Sequence, residues 1–262
     1  MKTSFSVFTK PWKTMPLAEL GALISRLGFD GIELPVRPGF QVEPQNVGRD
    51  LPRAAQQLAA FGLRITSVAC NANEATMAAC AEAGVRIIRG QGSEIGQGPY
   101  LEAIAQRQRE IDALLPLLQK YGVALGVQNH YGDYISNALG LRLLLVNYDP
   151  RYVGAVWDPA HQALEGEWPE YAIDIVWSHL QMVNLKNAYW QRTNGPEAEA
   201  AAWRPYWTTR RHGLASWPRV AAELKRRSYT GTICLSAEYS DEPAVERLIA
   251  EDLAFAKSLI TW

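Results

Sequence analysis

Four apolar runs in this chain end on polar residues able to offer an oxygen to a metal ion or a sugar: Gln128, Asp158, Asn184 and Glu238. They close Val-Ala-Leu-Gly-Val-Gln (123–128), Val-Gly-Ala-Val-Trp-Asp (153–158), Gln-Met-Val-Asn (181–184) and Ile-Cys-Leu-Ser-Ala-Glu (233–238). An apolar body with a polar carboxyl end is the pattern of a buried parallel strand whose tip meets a ligand. Amide and carboxylate oxygens coordinate hard cations, and a carboxylate such as Glu238 can also take a proton alpha to a carbonyl.

Alternate residues of a strand share a face. If Gln128 faces inward, so do Gly126 and Ala124, with Leu125 and Val127 outward. In the last run Cys234, Ser236 and Glu238 fall inside, and Ile233, Leu235 and Ala237 outside. Small interior and bulky exterior residues suit a closed barrel wrapped by helices, so the four tips are expected to meet in one pocket.

The elements that would position them follow from a repeated junction of helix, glycine and apolar run. It occurs at Leu27-Gly28-Phe29, Phe61-Gly62-Leu63, Ala83-Gly84 and Tyr121-Gly122, each just ahead of a strand-like segment. Glycine supplies the left-handed turn that closes a helix. Helix starts are expected near Pro16, at Asp50 as a cap before Pro52, at Asn73 and at Pro99, then after Ser136-Asn137, Ser216-Trp217-Pro218 and Asp241-Glu242-Pro243. With Phe5 to Phe8 as the first strand, the alternation predicts an α/β protein, a (β/α)8 barrel forming a single domain over residues 1–262. An open doubly wound sheet fits less well, because the glycine-rich segment 90–98 lacks dinucleotide-loop spacing and reads as a flexible loop at the barrel mouth.

Composition agrees. The 262 residues are 48% hydrophobic, a length close to the roughly 250 of one eight-fold barrel. A formal net charge of -1 gives no field to draw in a polyanion, so nucleic acid is not expected as a partner. Cys70, Cys80 and Cys234 cannot all pair, which fits a reducing compartment and a cytoplasmic location. The amino terminus passes directly into a short strand, and neither a signal peptide nor a membrane span is expected.

Taken in order, Leu27-Gly28-Phe29-Asp30-Gly31-Ile32-Glu33-Leu34, Gln128-Asn129-His130, Trp157-Asp158-Pro159-Ala160-His161, Asn184-Leu185-Lys186-Asn187 and the run from Gly231 to Glu238 resemble the xylose isomerase-like barrel superfamily. That superfamily holds sugar and sugar-phosphate isomerases and epimerases, inosose dehydratases and an endonuclease branch. The resemblance implies a divalent metal, Mg²⁺ or Mn²⁺, held by Gln128, Asp158, Asn184 and Glu238. Gln128 stands where the family has a glutamate, Asn184 where it has a histidine, and Asn187 replaces a common aspartate. The formal ligand charge is thereby reduced, so metal is expected to bind weakly or not at all. Gln128 cannot take a proton, which removes one of the facing acid/base pair that the family's epimerases use.

The resemblance implies enolisation of a small sugar, sugar phosphate or polyol, with Glu238 as base and His130, His161 and Lys186 as helpers. Asp158 and His161 match the family's Asp-x-x-His pattern, in which the aspartate binds metal and the histidine contacts substrate; the same aspartate could simply cap a helical turn. Trp12, Glu33 and Arg37 are candidate pocket walls. The long segment from Lys186 to about Ser216 carries Tyr189, Trp190, Trp203, Tyr206 and Trp207 beside Arg210, Arg211 and His212. It reads equally as a substrate-gripping lid or a subunit interface. His179 and Cys70 are expected to be structural. Self-association into a homo-oligomer is expected, and the alternatives to an isomerase are a metal-free carbohydrate-binding pseudoenzyme and an inosose dehydratase-like lyase.

Overall fold

The apolar runs come together as predicted, by pairing with their neighbours until the sheet closes. In the computed structural model, which describes residues 3–90, 93–96 and 98–260, the chain alternates strands and helices. In order these are β1 (Ser4–Phe8), α1 (Leu17–Leu27), β2 (Gly31–Pro35), α2 (Val47–Ala59), β3 (Arg64–Ala69), α3 (Glu74–Glu82), β4 (Ile87–Gly90), α4 (Tyr100–Tyr121) and β5 (Ala124–Gln128). There follow α5 (Ala138–Leu145), β6 (Val153–Trp157), α6 (Pro159–Leu164), α7 (Pro169–Val176), β7 (Leu180–Leu185), β8 (Asn187–Arg192), β9 (Trp203–Thr208), α8 (Trp217–Arg226), β10 (Thr232–Leu235) and α9 (Val245–Ile260). Strands β1 to β7 and β10 form a closed parallel barrel, with β10 paired to both β7 and β1.

The inward and outward sorting read from alternation holds. Leu125, Val127, Ile233, Leu235 and Ala237 join the large core between barrel and helices. A separate small cluster of Phe8, Ala69, Val156, Met182 and Cys234 fills the barrel's interior. Gly126 faces that interior, where an added Cβ would stand 2.6 Å from Val156 Cγ2, so the site has room for no larger residue.

Gly28 and Gly122 close α1 and α4 in left-handed geometry, with φ of +89° and +65°, and their N–H groups bond back to the last turn. Asn73 and Asn137 cap α3 and α5 through their side chains, as their positions predict. Asp50 does not cap α2. That helix begins three residues earlier at Val47, and Asp50 lies in its first turn bonded to Arg49.

Two further departures matter for the site. Strand β10 ends at Leu235, and Ala237 takes a left-handed φ of +51°, so Glu238 is aimed by a kink rather than by strand alternation. The long segment after β7 is a regular antiparallel hairpin, β8 paired with β9 from Asn187↔Thr208 to Arg192↔Trp203. Within the glycine-rich segment, Gln91, Gly92 and Gln97 lie outside the described residues; Glu94 bridges to Tyr134, and Ile95 N–H bonds to Asp133 O. No helix among the described residues is long and apolar enough to cross a membrane.

Candidate active site

A chain of charges and amides runs around the carboxyl-end mouth of the barrel. Glu33 on β2 is fully buried and accepts from Ser67 Oγ at 3.0 Å and Arg89 Nε at 2.8 Å. Its other oxygen lies 2.8 Å from Arg89 Nη2. Arg89 Nη1 donates to Gln128 Oε1 at 2.7 Å, and Gln128 Nε2 donates to Asp158 Oδ2 at 2.8 Å. Lys186 Nζ stands 3.5 Å from that same aspartate oxygen and donates to Glu238 Oε2 at 3.0 Å. Lys10 donates to Glu238 Oε1 at 2.6 Å and ends the chain.

Local structure fixes each member. Asp158 follows β6 and caps α6, its Oδ1 accepting from the N–H groups of Ala160 and His161 at 3.0 and 3.2 Å. The capping role read from the sequence holds, with Oδ1 on the helix and Oδ2 turned to Gln128 and Lys186. Asn129 holds this junction by exchanging two hydrogen bonds with the Asp158 backbone, at 2.7 and 2.9 Å. Arg89 lies 4.6 Å over the Phe8 ring and Lys186 4.5 Å over the Trp207 ring, so aromatic faces support both cations.

Burial and pairing set the charges. Burial would neutralise the Lys186 ammonium, but Asp158 and Glu238 outweigh it and raise its pKa. Burial likewise pushes the Glu238 carboxyl up, yet Lys186 and Lys10 together hold it well below the usual carboxylate range. At Asp158 burial wins over Lys186, and the pKa rises. Burial lowers both His130 and His161, leaving their rings neutral near pH 7.

The two imidazoles lie against each other with ring centres 3.9 Å apart and planes tilted by 37°. His130 Nδ1 lies 2.9 Å from the Tyr131 carbonyl, which can only accept, so the proton sits on Nδ1 and the Nε2 lone pair is available. Both nitrogens of the fully buried His161 lack a hydrogen-bond partner among the described residues, with Nε2 3.6 Å from Asp158 Oδ2.

His130, Lys186 and Glu238 face a cavity of about 690 Å³ that Lys10, Tyr131 and Trp207 also line. A neighbouring cavity of about 1080 Å³ lies at the ends of β2 to β4, against Arg37, Cys70, Asn71 and Arg89. Arg37 is half-buried, its pKa lowered by burial and by Arg89. Among the described residues no carboxylate lies within ion-pair distance of it, in contrast to Lys10, Arg89 and Lys186.

Of the residues predicted from sequence, Glu33, Gln128, Asp158, Lys186 and Glu238 join one bonded chain, with His130 and His161 beside it. Asn184 is buried deeper and accepts from Ser236 Oγ at 3.3 Å. Trp12 packs in the outer core, Arg211 stacks 4.3 Å over Phe255 and His212 is exposed, so none of the three lines the cavity beside Lys186. Asn187 holds the base of the hairpin, bonded to Arg210 O, Ala215 O and Ala215 N. Sequence reading missed Arg89, which follows Ile87-Ile88 in the way the four chosen tips follow their runs, and Lys10, which lies beyond the first strand in a short turn. It named Trp207 only as part of the long segment, and Tyr131 not at all.

The mouth does not fit a divalent ion. Gln128 Oε1 is engaged by Arg89, Asn184 Oδ1 by Ser236, both Glu238 oxygens by lysines, and Asp158 Oδ2 by Gln128 with Lys186 3.5 Å away. Among the described residues no group of three or more His, Cys, Asp or Glu side chains is arranged to hold a metal.

Eight parallel strands closed around a small core, with ionisable side chains gathered at their carboxyl ends, define a TIM barrel. The chain belongs to the family described as xylose isomerase-like TIM barrel, whose pattern matches residues 22–259. No curated protein matches the chain. Among solved structures it is similar to an L-ribulose 3-epimerase, with 13% identity, a TM-score of 0.77, and 99% of this chain and 95% of that one covered. It is also similar to a D-psicose 3-epimerase from Clostridium cellulolyticum H10, with 12% identity, a TM-score of 0.75, and 98% and 99% covered. A probable 3-DHS dehydratase from Bacillus anthracis gives 16% identity, a TM-score of 0.74, and 97% and 99% covered. At these identities the likeness establishes the shared fold.

Proposed function

We propose that this chain isomerises a small sugar or sugar acid by enolisation at the barrel mouth, with its own side chains stabilising the charge. The observation that carries the reading is the Lys186 ammonium, 3.0 Å from Glu238 and 3.5 Å from Asp158, beside neutral His130 on a cavity of about 690 Å³. The solved relatives named as epimerases, one of them for L-ribulose, support the substrate class by fold.

The steps follow from the atoms. A hydroxy-ketone or hydroxy-aldehyde places its carbonyl oxygen against the Lys186 ammonium, and His130 Nε2 removes the proton from the adjacent carbon. The electron pair moves onto the carbonyl oxygen, where the ammonium stabilises the enediolate. The hydroxyl proton of the adjacent carbon passes to the former carbonyl oxygen, and His130 returns its own proton to the former carbonyl carbon, which moves the carbonyl by one position. One base suffices for that shift, whereas inversion at a single carbon needs a second base on the opposite face. We assign the base to His130 rather than Glu238 because each Glu238 oxygen already accepts from a lysine.

Arg37 narrows the substrate. Among the described residues no carboxylate lies within ion-pair distance of its guanidinium, on the cavity at the ends of β2 to β4, so a substrate carrying one negative group complements it. A second reading, sugar binding without turnover, draws support from the same locking of Glu238 by Lys10 and Lys186. Incubation of purified protein with a panel of aldoses, ketoses and their acids, followed by product chromatography, separates the two. Conversion of at least one compound is expected, and tight binding with no conversion would replace isomerisation by the binding role.

A further inference from the structure

The misfit between the mouth and a divalent ion has a specific cause in the side chains that occupy it. We infer that Lys186 is a built-in cation, which holds the place between Asp158 and Glu238 that a divalent ion would require, so the native chain binds none there. The inference goes beyond the proposed reaction and stands whether or not the pocket turns over a sugar.

Three observations carry it. First, one ammonium reaches both carboxylates, at 3.5 Å from Asp158 Oδ2 and 3.0 Å from Glu238 Oε2. A dication shared by those oxygens would compete with Nζ for the same two partners, and two cations crowded against one pair of carboxylates repel in a site shielded from water. Second, the local charges already cancel, because Asp158 and Glu238 face Lys186 and Lys10. A divalent ion would add two positive charges to that balanced set. Third, Lys186 has nowhere easy to go: its side chain is 7% exposed and its ammonium sits 4.5 Å over the Trp207 ring. Leaving this place would expose two carboxylates to each other and give up the aromatic contact.

Removing the ammonium should therefore open a cation site. Lys186→Met keeps much of the stem and its packing but deletes the charge, leaving Glu238 paired with Lys10 and Asp158 without its ammonium neighbour. Both are oxygen ligands suited to Mg²⁺ or Mn²⁺. Occupancy by an ion that binds only the folded state raises the unfolding temperature.

The test is thermal unfolding and calorimetry of the full chain, freed of metal by chelator and titrated with Mn²⁺. The wild type should show no saturable binding in the millimolar range and no shift in its midpoint. Lys186→Met should bind Mn²⁺ at least tenfold more tightly than wild type, with a midpoint rising to saturation, and Lys186→Met combined with Asp158→Asn should lose the gain. Saturable Mn²⁺ binding by the wild type that Asp158→Asn abolishes would overturn the inference, as would a folded Lys186→Met with no gain. Should Lys186→Met fail to fold, Lys186→Gln takes its place, and the wild-type and Asp158→Asn titrations alone still decide whether the native site takes an ion.

Discussion

Arg89 Nη1 donates to Gln128 Oε1 at 2.7 Å, and this bond turns the amide so that its Nε2 points at Asp158 Oδ2, 2.8 Å away. Gln128 is thus a neutral link between a guanidinium and a buried carboxylate, its acceptor and its donor both used. Gln128→Glu should then destabilise the protein. The Nε2 donor is lost and a second carboxylate meets fully buried Asp158, a cost of about 2 kcal/mol by the worth of hydrogen bonds to charged groups. Urea unfolding at pH 7 checks it, with a larger deficit expected than at pH 5, where one carboxyl of the pair can take a proton. A variant as stable as wild type at pH 7 would mean that this bond is not maintained in solution.

His130→Gln should lower kcat by 10²- to 10⁴-fold, the usual worth of a positioned base, whereas Glu238→Gln should cost only about tenfold. Glu238 in this account keeps Lys186 charged and in place, and the neutral amide can still accept from one lysine. Steady-state kinetics of the two variants on a common substrate gives the comparison. A reversed order would return the base to Glu238.

The acid limb of kcat/KM should fall below pH 6.5, the ordinary histidine value, because burial lowers His130. Stability has a matching sign. As pH drops through 6.5 the unfolded chain takes protons that folded His130 and His161 refuse, so stability falls with falling pH over that window. His130→Gln should lose the acid limb and show a shallower decline in stability, read from urea midpoints between pH 7 and pH 5.

Arg37→Gln should raise KM for a carboxylate- or phosphate-bearing substrate by about ten- to a hundredfold, the range expected for one charge-assisted contact, with little change for its neutral counterpart. Equal effects on both would show that Arg37 serves packing over Phe8 instead, where its guanidinium already sits 5.8 Å from the ring centre.

Much of this architecture is legible in the sequence, for a physical reason. A parallel strand buried on both sides must be apolar until it ends, so the tips at Gln128 and Asp158 stand out, and glycine at 28, 62, 84 and 122 marks where helices stop. The same rule applied to Ile87-Ile88-Arg89 would have found Arg89. What spacing cannot carry is which polar tip bonds to which. That Arg89 takes the oxygen of Gln128, and that Lys186 reaches both Asp158 and Glu238, depends on side-chain reach across strands far apart in sequence. Arg211 and His212 were drawn to the site by composition, but the regular β8–β9 pairing carries only Trp207 over the cavity and leaves those two beyond its end.

The central claim is that the mouth labilises a carbon-bound hydrogen with protein groups alone, and solvent exchange tests it most directly. Chelator-treated protein is incubated in D₂O with the sugar it binds best, and the sugar is followed by proton NMR. Wild type should incorporate deuterium at the carbon next to the carbonyl, while Lys186→Met and His130→Gln should each slow that exchange at least a hundredfold. Firm binding of the sugar with no deuterium entering it, or exchange that both variants retain in full, would contradict the account.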